Sequence, residues 1–105
     1  MLTKLLTTKA RLLALRHPAL SQDVQRGIAS SGSALDRAHL ACNPAIVADV
    51  LDSLASDSDF LVRWSVADNP QAQRDLVDRL ARTDSSPVVA RAASARVWAF
   101  SNAAA

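Results

Sequence analysis

The stretch Val62-Arg63-Trp64-Ser65-Val66-Ala67-Asp68-Asn69-Pro70 has a partner 26 residues earlier, Asp36-Arg37-Ala38-His39-Leu40-Ala41-Cys42-Asn43-Pro44. Working outward, residues 11–36, 37–62 and 63–88 align in parallel with four identical columns: Arg11/Arg37/Arg63, Pro18/Pro44/Pro70, Asp23/Asp49/Asp75 and Ala29/Ala55/Ala81. Apolar character repeats at Val24/Val50/Leu76 and Ile28/Leu54/Leu80, and Leu35/Leu61 match in two units. A period of this size marks a stacked repeat, because one unit cannot bury its apolar stripe alone.

Each unit has a local logic. Asn43-Pro44 and Asn69-Pro70 read as an N-cap followed by proline at the first helical position, with His17-Pro18 a weaker version. The run 70–82 then places Leu76, Val77 and Leu80 at helical spacing. Polar breaks at 56–59 and 83–86 stop the helices, and a briefer segment such as 60–67 follows, with 3-10 character. The expected unit is one long α-helix plus one short α or 3-10 helix. The ends depart from the pattern, with a Leu-rich capping helix over 1–16 (Leu2, Leu5, Leu6, Leu12, Leu13) and a capping helix over 86–102 in which Trp98 and Phe100 seal the core, the alternative being a sticky end for a partner or a second copy. Val89 holds the arginine phase there, Arg91 lies two residues on, and the tail 101–105 is expected to fray.

Composition narrows the classes. Half the residues are hydrophobic but only 4% are aromatic, so Ala, Leu and Val must build the core of one 105-residue domain. A single cysteine excludes a disulfide framework and any multi-thiolate metal or iron–sulfur site. No run approaches the ~18 apolar residues of a membrane span. The net charge of +2 is small but polarised: residues 1–36 hold five bases against Asp23 and Asp36, whereas 37–62 hold Arg37 against Asp49, Asp52, Asp57 and Asp59. Lys4, Lys9, Arg11 and Arg16 imitate a transit peptide, yet Arg11 and Pro18 keep the repeat's phase, so this segment reads as structure.

The run Val62 to Pro70, followed by Leu76, Leu80-Ala81 and Asp84, resembles the variant leucine-rich repeat family, whose units read approximately VRxxVAxNP and then a helix ending LAxD. The stretch from Arg37 to Pro44 with Val50, Leu54-Ala55 and Asp57 is similar, and the likeness covers roughly residues 11–96. The resemblance implies an all-α, right-handed α-solenoid of about four 26-residue repeats, related in pattern to HEAT repeats. HEAT-like units carry an Asp six residues before an Arg, as Asp57 and Arg63 do. The iron–sulfur cluster of the best-known members has no counterpart beside a lone Cys42. Binding modules are the implied class.

Several residues invite a functional reading. Arg11, Arg37, Arg63 and approximately Arg91 could form a phosphate-spaced ladder, or each could bond to the repeat's Asp and to helix-end carbonyls. Asp23, Asp49 and Asp75 are spaced along the axis rather than converging on a substrate, which favours helix-surface bonds. Trp64 stands in a column with Leu12 and Ala38, so it is either a binding anchor or a filler of space beside alanines. His39 and Cys42 lack a third metal ligand and an orienting group for catalysis, and neither Gly27 nor Gly32 opens a phosphate loop.

The expectation is a non-catalytic module without cofactor or metal, binding another protein through the curved short-helix face. Its candidate binding residues are Arg37, Arg63, Trp64, Asp68 and Arg91. Nucleic-acid binding through the arginines and self-assembly through the solenoid ends are the alternatives. Ten Arg against two Lys fits a bacterial source, and the want of a secretory signal or disulfides fits the cytoplasm.

Overall fold

A computed structural model describes residues 2–103, and side chains from Thr7 onward, so the Leu2, Leu5 and Leu6 side chains expected in the opening cap lie outside the described residues. Seven helices follow one another: α1 (Leu2–Ala14), α2 (Gln22–Ser31), α3 (Ala34–Ala41), α4 (Ala48–Leu54), α5 (Phe60–Asp68), α6 (Arg74–Thr83) and α7 (Pro87–Asn102). The described residues contain no strand and no 3-10 helix. α3, α5 and α7 pack side by side in one row, while α2 and α4 lie against that row and α6 lies against α7. The result is elongated, 48 × 26 × 23 Å.

Local chemistry starts the helices. Ser21 caps α2 by accepting from the Val24 N–H, and Asp59 caps α5 by accepting from the Leu61 N–H. Ser33 and Asp36 form a reciprocal capping box on α3, satisfying two orphan donors at once. The aspartate column now has a reason, because Asp23, Asp49 and Asp75 each occupy the first turn of α2, α4 and α6. A carboxylate there meets the positive end of the helix dipole. Between α2 and α3, Gly32 is needed for close approach: a Cβ would stand 2.7 Å from the Ile28 carbonyl oxygen and 3.1 Å from the Asp36 Cβ.

The core lies between the two rows. Leu40, Val62, Val66, Val77 and Val89 are wholly enclosed, and Val50, Leu51, Leu54 and Leu80 pack with them. The periodic apolar columns therefore face inward at Val50, Leu54 and Leu80, but Val24 in the first unit is 46% exposed. Only part of α2 is covered.

Five expectations need correction. Asn43 and Asn69 are not N-caps: α4 and α6 begin at Ala48 and Arg74, and Pro44 and Pro70 sit in the preceding turns. The long-and-short division fails as well, since α4 has 7 residues, α5 has 9, and both are α-helical. In the last unit the register moves to 27 residues, because Val62 and Val66 find their buried equivalents in Val89 and Ala93. Ala90 thus replaces the column arginine, and Arg91 aligns with Trp64 instead. Trp98 does not seal the core, being 68% exposed, and α7 continues helical through Asn102 where fraying was expected, with residues 104–105 outside the described residues.

Candidate binding face

Two polar columns join each unit to the next. The Asn43 Nδ2 donates to the carbonyls of Leu15 (2.8 Å) and His17 (2.9 Å), and Asn69 repeats this toward Ala41 (2.7 Å) and Asn43 (3.0 Å). Each Oδ1 accepts from the N–H two residues on, at Ala45 and Gln71. That local bond holds the proline in a turn rather than a helix. In the last unit, Arg96 takes over through its guanidinium, donating to the carbonyls of Ala67 (2.7 Å) and Asn69 (2.9 Å). The Phe100 ring lies between Arg96 and Arg74, at 5.1 and 5.4 Å from the guanidinium carbons. Gln25, buried on α2, plays a related part: it donates to the Leu20 carbonyl and accepts from the Val47 N–H.

The arginines form the second column. Arg37 grips the Asp57 carboxylate through Nε (2.7 Å) and a terminal nitrogen (3.1 Å), and its other terminal nitrogen donates to the Gly32 carbonyl (2.7 Å). Arg63 grips Asp84 in the same way (2.8 and 3.3 Å) and donates to the Asp57 carbonyl (2.7 Å). The Asp six residues before the arginine therefore contributes its backbone to that arginine and its carboxylate to the preceding one. Position 31, in phase with Asp57, is a serine, so Arg11 reaches Asp36 at 3.2 Å. Planar forks on carboxylates are strong, oriented bonds. They leave the Arg37 and Arg63 guanidiniums committed inside the protein.

These contacts shape two titrations. Burial pushes the Asp57 carboxyl up, but the Arg37 bonds, the Asp59 N–H and the charges of Arg37 and Arg63 together hold it below the ordinary carboxylate value. The same pair raises Arg37, chiefly through its bond to Asp57. His39 is pushed down by burial and by Arg16, against a small opposing pull from Asp36. Its Nδ1 accepts from the Arg16 Nε at 2.9 Å, a bond only the unprotonated nitrogen can make.

Both depressed groups bind protons more readily in the unfolded chain, so stability falls with acidity. Loss through His39 begins as pH drops below about 6.5, and loss through Asp57 begins below about 3.9. The thermal midpoint is expected to fall in two separate windows, and His39→Gln should flatten the upper one. Equal slopes for both proteins between about pH 7 and 5 would refute the assignment.

Several large apolar side chains remain outward on the α3/α5/α7 row. Leu35, Leu61 and Val88, 53%, 53% and 52% exposed, occupy the second position of their three helices. One turn further along lie Ala38, Trp64 (37% exposed) and Arg91, and Phe60 and Asp68 lie at the two ends of α5. Of the residues expected at a site, Trp64, Asp68 and Arg91 are thus exposed on this row, whereas Arg37 and Arg63 are bonded between units. Leu35, Leu61, Val88 and Phe60 were missed, because periodicity alone does not say which apolar stripe meets the core.

Elsewhere, a cleft of about 420 Å³ lies between α4 and α6, lined by Leu51, Leu76, Asp52, Asp75 and Arg79 among others, with Asp52 and Arg79 3.6 Å apart. Its lining has no histidine, cysteine or lysine. Among the described residues no group of three or more His, Cys, Asp or Glu could hold a metal ion, and no helix is long and apolar enough to cross a membrane.

Residues 35–97, more than half of the chain, match the family model of the Leucine Rich Repeat Variant domain. Comparison with curated proteins and with solved structures gives no match.

Proposed function

Since the chain belongs to the leucine-rich repeat variant family, a repeat-domain class, we propose that it is a non-catalytic protein-binding module working through the exposed row of α3, α5 and α7. The carrying observation is that Leu35, Leu61 and Val88 stand exposed at matched positions on three adjacent helices, with Trp64 exposed one turn further along α5. Exposed apolar side chains in such an arrangement favour a partner surface over water. The reading treats the chain as about four units wound right-handed, with this row on the inner curve, where solenoids offer extended contact. Engagement of Arg37 and Arg63 by Asp57 and Asp84 weighs against a phosphate ladder. A cytoplasmic setting and a bacterial source belong to the same reading, supported by the lone Cys42 and the arginine excess.

Photo-crosslinking in cells tests it. A photoreactive residue at position 61 or 88 should give discrete protein adducts, and one at the exposed Arg82 of α6 should give none. Equal adducts from position 82, or adducts to nucleic acid only, would contradict the reading.

A further inference from the structure

We propose that the occupant of this face is an extended peptide segment of a partner protein, acidic at both ends and apolar at every third residue; this rests on the binding reading above.

The 26-residue phase places Lys9, Leu35 and Leu61 in one line across α1, α3 and α5, and the shifted register adds Val88 on α7. A second line runs Leu12, Ala38, Trp64 and Arg91. The Arg16–His39 bond shows that the end of α1 sits beside α3 on this side. Lys9, Arg16 and Arg91 are exposed, so cations flank an apolar middle. Asp36 on α3 is buried and paired with Arg11, so the acids near the centre of the row are Asp59 and Asp68 at the two ends of α5, which disfavours a carboxylate there. Charge complementarity therefore puts the partner's acids over α1 and α7 and its apolar side chains over Leu35, Leu61 and Trp64.

Spacing fixes the pattern. Packed helices lie about 8–10 Å apart. An extended chain in the polyproline II form advances about 3.1 Å per residue and returns every third side chain to the same face, so three residues match one helix-to-helix step. Crossing from α1 to α7 takes about nine residues on the same rise. A partner helix would instead need about 18 residues, at 1.5 Å each, to span the same cations.

Selection from a random peptide library of about twelve residues, long enough to span the face, is the test, followed by fluorescence polarisation with the enriched peptides. They are expected to carry acids toward both ends and apolar residues three apart. Leu61→Ser should weaken them about tenfold. The double variant Lys9→Glu/Arg91→Glu should weaken them about threefold or more, and higher salt should do likewise. Arg82→Glu, on α6, should change little. Enriched peptides that lack acids but still depend on Leu61 would overturn the proposed chemistry and leave the binding face standing. Peptides indifferent to Leu61→Ser, or no enrichment, would overturn both.

Discussion

Asn69→Ala is expected to lower the unfolding free energy by about 4 kcal/mol, because three hydrogen-bonding groups lose their partner at about 1–3 kcal/mol each. Asn69 is 2% exposed, and water has little access to replace it. The carbonyls of Ala41 and Asn43 lose a shared donor, and the Gln71 N–H loses its acceptor. Domains of this kind are stable by roughly 5–15 kcal/mol, so the loss is a large share of the total. The thermal midpoint should fall by roughly 20 °C. Asn69→Asp is a sharper probe: it keeps an acceptor for Gln71 but turns a lone pair toward two carbonyl oxygens, and it should be no better than alanine. An unfolding free energy from urea titration within about 0.5 kcal/mol of the parent would show that the bond between units is dispensable.

The difference between reading and structure at this residue is instructive. Asn followed by Pro is the same dipeptide whether it caps a helix or holds a turn, and only the carbonyls 26 and 28 residues earlier decide which. No local window contains them. The period, the helical class and the family were legible because they depend on composition and spacing. The Arg–Asp pairing was also visible as an alternative, since Asp57 and Asp84 recur with the arginines. Gln25 was invisible because its column otherwise holds the apolar Leu51 and Val77, and a buried amide there looks like a surface residue. The added residue between Ala81 and Asp84 hid the equivalence of Arg96 with Asn69 and moved Arg91 from the arginine column to the Trp64 line. Of the binding face, Trp64 stood out as an unneeded indole, whereas Leu35 and Leu61 stood out only as a column matched in two units.

Arg63→Leu carries the second large effect. The Asp84 side chain is only 3% exposed, and its carboxylate is gripped by the Arg63 fork. Removing the arginine leaves a buried charge without its counterion, which costs about 3–5 kcal/mol. The Asp57 carbonyl loses a donor as well. Replacing Asp84 by Asn in the same background removes the stranded charge while keeping an acceptor for the Ser86 N–H. The double variant should therefore be more stable than Arg63→Leu alone.

The central claim is that the repeated arginines hold the units together and leave binding to the apolar row. Urea unfolding of the Arg63→Leu/Asp84→Asn double-mutant cycle tests it most directly. The predicted result is a coupling of about 2–3 kcal/mol between the two positions. Additive effects, with Arg63→Leu costing less than about 1 kcal/mol as an exposed arginine would, are the result that would contradict it.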